Sequence, residues 1–114
     1  MRLEIKSIHS PDVNLYAWSP ETWDEVYVLV ELEIGEREDE RCDLFQVVVA
    51  TPEALRRRWA GERFVLAERG VLVVADYDLR VLRRELERIV QDCAASSWPD
   101  AVALLQRYFL WEYE

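Results

Sequence analysis

The 114-residue chain is poor in the side chains that most often carry out chemistry or hold metals. It contains one histidine, His9, and two cysteines, Cys42 and Cys93, which are far apart and form no CxxC pair. Zinc sites need several histidine or cysteine ligands at short spacing, and a general acid or base near neutral pH is most often a histidine. We therefore expect no metal site, no catalytic residue and no disulfide.

Glycine-rich loops and long apolar runs are missing as well. The three glycines stand alone, which excludes a phosphate-binding loop, and no cofactor is expected. No apolar run approaches the roughly 18 residues that a membrane span requires. The first ten residues alternate instead of forming the apolar stretch of a signal peptide, so we expect a cytoplasmic protein that does not bind membranes.

Positive charge is scarce where negative charge is concentrated. The chain has 23 acidic and 14 basic residues, and its formal net charge is −9. Residues 21–53 hold eleven of the acids and two of the bases, whereas the rest of the chain carries twelve of each. Binding to nucleic acid requires clustered Lys and Arg. This distribution therefore excludes a nucleic-acid partner and favours a basic protein partner.

What the chain does have is enough apolar material for a core. Hydrophobic residues make up 51% of it, and these include five Trp, five Tyr and three Phe. A chain of this length most often folds as one domain. We predict a single domain over residues 1–114, and the oligomeric state is left open.

The first half of the chain has the alternation of β-strands. Three strands are predicted, at residues 3–9, 24–35 and 42–50. In the first, Leu3, Ile5 and Ser7 fall on one face, although the alternation is imperfect. The acidic run between the second and third strands is predicted to be a hairpin loop. A fourth, short strand is expected at 71–75, after a less regular extended piece at 64–67.

Helix signals follow the third strand. Thr51, Pro52 and Glu53 combine a hydroxyl N-cap, a proline in the first turn and an early acid, which predicts a short helix. A longer helix runs to about residue 95, and its apolar stripe consists of Leu79, Leu82, Leu86, Ile89 and Cys93. A capping-box pattern at 97–100 starts a last helix. Its expected inward residues are Val102, Leu105, Tyr108 and Phe109.

The order β-β-β-α-β-α-α is typical of an α+β fold. We predict a small, mostly antiparallel sheet with helices packed on one face. The C-terminal residues 110–114 alternate, so this tail either returns to the sheet or stays frayed.

Several segments, taken in order, resemble those of a known protein family. They are "KSIHSPD" (6–12), the long acidic strand, "VVVATPEAL" (47–55), "ADYDL" (75–79) and "SWPDAVALLQRYFLWEYE" (97–114). Together they cover nearly the whole chain and resemble the immunity protein 8 family of bacterial polymorphic toxin systems. The resemblance implies a small α+β protein that binds a cognate toxin domain and blocks it.

The resemblance carries over no binding residues, so these are predicted from the charge pattern. Toxin domains that act on nucleic acid tend to be basic, since affinity for phosphate comes from Lys and Arg. We expect the toxin to contact the acidic region and the aromatic residues that flank it in sequence. The candidates are Glu31, Glu33, Glu36, Glu38, Asp39, Glu40, Asp43, Trp18, Trp23 and Tyr27.

Two other functions remain open at this point. An adaptor or regulatory domain that binds another basic protein would have the same charge pattern. An enzyme that works with two carboxylates, as glycosidases do, would need a deep pocket that buries them and raises a pKa. A solvated acidic hairpin offers no such pocket, and we expect no enzymatic activity.

Overall fold

A computed structural model describes residues 1–60 and 62–114. Its elements are β1 (Leu3–His9), β2 (Tyr27–Glu36), β3 (Asp43–Ala50), α1 (Pro52–Arg58), β4 (Val71–Val73), α2 (Leu79–Asp92), α3 (Trp98–Leu105) and β5 (Leu110–Trp111). This order confirms the predicted α+β fold and adds one short C-terminal strand. The predicted extended piece at 64–67 is irregular rather than a strand.

The sheet is mixed, with the strand order β1-β2-β3-β4. β2 pairs antiparallel with both β1 and β3, whereas β4 runs parallel to β3. Parallel neighbours need a crossover connection, which the segment containing α1 supplies. β4 pairs with residues 48–50 of β3, and β5 pairs antiparallel with residues 45–46 along the same edge. The tail therefore does return to the sheet.

A register irregularity in β1 explains the imperfect alternation of this strand. The pairing with β2 shifts between Ile5 and Ser7, as it does at a β-bulge. After the shift Ser7 pairs with Glu33, and Ile8 takes the core-facing position beside Leu32. The sequence-based placement of Ser7 on the face of Leu3 was therefore wrong, because an extra residue reverses the facing of every residue that follows it.

The core lies between one face of the sheet and the helices α2 and α3. Its buried strand residues include Val28, Val30, Leu32, Ile34, Phe45, Val47 and Val49. On α2, the buried residues include Leu82, Leu86 and Ile89, as the apolar stripe predicted. Tyr108 is 41% exposed, so its predicted inward position was wrong. α3 ends at Leu105, and the turn that follows directs Phe109 rather than Tyr108 into the core.

The opposite sheet face, called the outer face here, carries Tyr27, Leu29, Glu31, Glu33, Leu44, Gln46 and Val48. α1 lies at one end of this face, where the guanidinium carbon of Arg58 is 4.3 Å from the ring centroid of Tyr27. Arg57 of the same helix forms a 3.0 Å ion pair with Glu25. Among the described residues, no helix has both the length and the apolarity that crossing a bilayer requires.

Candidate functional site

The predicted contact residues fall into two groups at opposite ends of β2. The aromatic candidates Trp18, Trp23 and Tyr27 lie before or at the start of this strand, and most of the acids follow its middle. β2 has ten residues, and a strand rises about 3.3 Å per residue, so its ends are roughly 30 Å apart. The fold does not place the aromatic candidates beside the tip of the hairpin.

The acidic hairpin, residues 36–43, owes its shape to a close approach of its two strands. A Cβ atom at Gly35 would collide with the carbonyl oxygen of Arg41, so only glycine fits at this position. The backbone N–H of Asp39 donates to the carbonyl of Glu36 over 3.1 Å. The backbone N–H of Arg37 donates to Arg2 over 2.9 Å and ties the loop to the N-terminal segment.

Asp39 organises the loop from within. Its Oδ1 accepts a 2.9 Å hydrogen bond from the backbone N–H of Arg41, and its Oδ2 lies 2.6 Å from Nη2 of the same residue. The hydrogen bonds from the Arg41 side chain, followed by its backbone N–H, hold the pKa of Asp39 at about 2. This carboxylate therefore has an internal cation as its partner.

Glu31 and Glu33 lie on the outer face and are partly buried, and each has an internal contact. Glu31 Oε1 is 3.5 Å from Nε2 of His9, and Oε2 accepts a 3.3 Å hydrogen bond from Gln46. The thiol of Cys42 donates to Glu33 Oε2 over 3.3 Å. Burial, followed by this hydrogen bond to a carboxylate, raises the pKa of the Cys42 thiol. Cys42 is therefore a neutral donor and a poor nucleophile at neutral pH.

Asp43 is held by the C-terminal strand. Its Oδ2 accepts a 3.0 Å hydrogen bond from the indole Nε1 of Trp111. The neighbouring Leu44 exchanges two bonds with Glu112, one through each residue's backbone N–H, both of 3.0 Å. Sequence reasoning missed this role of Trp111 and Glu112, because the contact joins segments that no local pattern links.

Three hairpin acids differ from those above. Over the described part of the chain, the side chains of Glu36, Glu38 and Glu40 have neither an ion pair nor a hydrogen bond. Glu38 and Glu40 are exposed, and Glu36 is half-buried. A cavity of about 280 Å³ opens at the base of the hairpin, and its lining includes Glu36 and the ring of Trp98. Since Glu36, Glu38 and Glu40 have no partner among the described residues, their carboxylates are available to an external cation.

The aromatic candidates surround Tyr77, which sequence reasoning did not single out. Trp18 meets the Tyr77 ring edge-on at 4.9 Å, and the Trp23 ring is nearly parallel to it, with centroids 6.5 Å apart. The backbone N–H of Tyr77 donates to Trp23 over 2.8 Å. Tyr27 is separate from this cluster, because its ring contacts Arg58. The only sequence signal for Tyr77 was its place in "ADYDL".

Within residues 1–60 and 62–114, no group of three or more His, Cys, Asp or Glu side chains could hold a metal ion. Both cysteines are free thiols, and burial raises the pKa of Cys93 as well as that of Cys42. What the acidic hairpin offers is accessible negative charge on a well-defined loop.

Comparison with known proteins identifies the family. The family model described as "Immunity protein 8" matches residues 3–114, which include every strand and helix described above. A search of curated proteins and a search of solved structures found no significant match. Since the family model covers nearly the whole chain, this chain belongs to the immunity protein 8 family.

Proposed function

We propose that this chain neutralises a cognate bacterial toxin domain by binding it through the acidic hairpin, without a catalytic step of its own. Membership of an immunity protein family supports the toxin-neutralising role. One observation supports the choice of surface: the carboxylates of Glu36, Glu38 and Glu40 lie on one loop and have no ion pair or hydrogen bond with any described residue.

Electrostatics explains why such a loop suits a basic toxin domain. The net charge of −9 lies within the segment that contains the hairpin. A concentrated field of one sign accelerates encounter with a partner of the opposite sign by about 10- to 1,000-fold at low salt. Charges at the rim of an interface act on association rate and orientation more than on dissociation. The hairpin acids are therefore expected to steer the toxin domain.

The cavity at the base of the hairpin adds a position for a basic side chain of the toxin. Its lining combines the carboxylates of Glu36 and Asp43 with the Trp98 ring. Asp43 is already held in place by Trp111, and preorganised groups lose less entropy on binding. Arg41 also lines the cavity, but Asp39 holds its guanidinium.

Association kinetics test this proposal directly. The test protein is the variant Glu36→Gln, Glu38→Gln, Glu40→Gln, and the partner is a purified, inactive toxin domain from the adjoining open reading frame. We expect the association rate to fall about 10-fold or more at low salt, with a smaller fall at high salt because ions screen exposed charges. Dissociation should change little.

A matched control shows whether the effect depends on where the acids lie or only on the net charge of the protein. Glu62, Glu68 and Glu87 are exposed acids outside the hairpin, and changing them to Gln removes the same amount of charge. This control should keep most of the association rate. An unchanged rate in the hairpin variant at low salt would move the interface to the outer face, around Leu29 and Val48.

A further inference from the structure

A second surface lies at the other end of β2, about one strand length from the acidic hairpin. It is a groove of about 530 Å³ between the loop 10–26 and the start of α2, and we call it the aromatic groove. Its aromatic lining consists of Tyr16, Trp18, Trp23 and Tyr77. Tyr16 is 65% exposed and Trp23 is 54% exposed, whereas Tyr77 is buried beneath them.

Hydrogen bonds fix the backbone that carries the exposed rings. The backbone N–H of Tyr16 donates to the Asn14 side chain over 3.1 Å, and that of Trp18 donates to the Asn14 carbonyl over 2.8 Å. The carbonyl of Trp23 accepts a 2.8 Å bond from the backbone N–H of Tyr77, and the Trp23 ring lies nearly parallel to the Tyr77 ring. Exposed tryptophan and tyrosine side chains on such a scaffold resemble the residues that dominate binding energy in protein interfaces.

The charged residues around the groove determine which kind of side chain the groove can bind. The loop 10–26 contains four acids and no Lys or Arg; one of these acids, Glu25, is paired with Arg57. Asp76 lies in the lining of the groove. Asp78 also lines it but caps α2 by accepting from two backbone N–H groups. Arg80 is the one basic residue in the lining. The surroundings therefore remain negative overall and favour a cation.

The phenol hydroxyl of Tyr77 is buried beneath the groove rather than exposed in it. This hydroxyl has no partner among the described residues, although it is inaccessible to solvent. Buried polar groups are normally hydrogen-bonded.

A guanidinium group carries five N–H donors, stacks on aromatic faces and pairs with carboxylates, whereas a lysine ammonium is a compact point charge that does not stack.

We propose that the aromatic groove receives an arginine side chain of the cognate toxin domain, as a second contact beside the acidic hairpin; this rests on the proposed function. In this arrangement the guanidinium stacks on Trp23 and pairs with Asp76. The two contacts are roughly 30 Å apart, a distance that an interface of standard size can span. The hairpin sets the association rate, and the groove sets the dissociation rate.

The experiment measures dissociation of the same inactive toxin domain from immobilised variants at two salt concentrations. We expect Trp23→Ala and, separately, Tyr16→Ala to dissociate roughly 10- to 100-fold faster than the parent chain. Trp23→Phe should dissociate more slowly than Trp23→Ala, because phenylalanine keeps an aromatic face. Tyr108→Ala is the matched control and should dissociate like the parent chain, since Tyr108 is 41% exposed but lines neither the aromatic groove nor the cavity at the hairpin base.

A variant that removes the charge of Asp76 tests whether the side chain bound in the groove is an arginine of the toxin domain. Asp76→Asn should speed dissociation several-fold at low salt and have less effect at high salt. If Trp23→Ala has its effect and Asp76→Asn has none, the occupant is apolar and the arginine assignment is wrong. If Trp23→Ala and Tyr16→Ala both behave like the parent chain, the groove is no contact, although the hairpin proposal stands. If the parent chain fails to bind the toxin domain, the proposed function itself fails.

Discussion

The indole Nε1 of Trp111 donates a 3.0 Å hydrogen bond to the carboxylate of Asp43, and this bond joins the C-terminal strand to the base of the acidic hairpin. Trp111 also pairs with Phe45 in the sheet. The carboxylate of Asp43 cannot turn toward solvent without losing this partner. The position of the hairpin is therefore coupled to a strand from the far end of the chain.

Replacing the indole donor should weaken this coupling. We expect Trp111→Phe to lower the free energy of unfolding by about 1–2 kcal/mol, because a hydrogen bond to a charged group is lost while most of the packing remains. A denaturant titration measures the change. Tyr113→Phe, whose ring is exposed, serves as the control and should change little. Equal effects in the two variants would mean that the indole bond contributes nothing.

The helix α2 offers a test of how the core is assembled. Leu86 is fully buried against the sheet, so Leu86→Ala should lower the free energy of unfolding by roughly 2–5 kcal/mol. Arg84 is exposed on the opposite side of the helix, and Arg84→Ala should stay within about 0.5 kcal/mol. Similar losses at the two positions in a denaturant titration would contradict the orientation of α2.

The acids at the rim of the hairpin should contribute little to folding. Changing Glu36, Glu38 and Glu40 together to Gln should leave the thermal midpoint unchanged or raise it slightly, because exposed like charges are removed. Adding Asp39→Asn should lower the midpoint, since Asp39 accepts hydrogen bonds from Arg41. Thermal scans at neutral pH compare the two variants. A large loss in the triple variant would show that these carboxylates have internal partners.

Acid should weaken two ion pairs in a defined range of pH. The Arg69 side chain lowers the pKa of Glu114 from 4.5 to about 2, and Arg41 lowers that of Asp39 from 3.8 to about 2. The folded state therefore keeps these carboxylates ionised at pH values where the unfolded chain takes up protons. Their contribution to stability is complete above pH 4.5 and is lost as the pH falls through about 2.

Thermal scans of Glu114→Gln between pH 7 and pH 2 measure this contribution. The variant should melt below the parent chain at neutral pH, and the difference should vanish near pH 2. Glu62→Gln, which removes an exposed carboxylate elsewhere, should show no such convergence. A gap between Glu114→Gln and the parent chain that stays constant with pH would mean that the Arg69 pair does not favour the ionised carboxylate.

The elements that sequence predicted well are those with local signals. Thr51 and Ser97 each cap a helix through a side chain that accepts from a nearby backbone N–H, as the capping patterns predicted. The apolar stripe of α2 identified its buried side, since the helical period alone decides which residues face the sheet. The facing of residues in β2 and β3 followed from alternation in the same way.

What sequence could not supply depends on contacts between distant segments. The irregularity between Ile5 and Ser7 appears only in the pairing of β1 with β2. The partners of Glu31 and Asp43 come from other strands. Charge composition therefore located the acidic region in the sequence, but it could not distinguish acids that have partners among the described residues from those that have none.

The bond between Asp43 and Trp111 joins residues 68 positions apart, and this separation has a consequence for the order of folding. The turn between β2 and β3 closes across only a few residues, and the entropic cost of closing a loop grows with its length. We therefore expect the β2–β3 hairpin to form early and β5 to dock after the transition state. Interactions that form this late slow unfolding without speeding folding. In stopped-flow kinetics, Trp111→Phe should thus change the unfolding limb and leave the refolding limb in place.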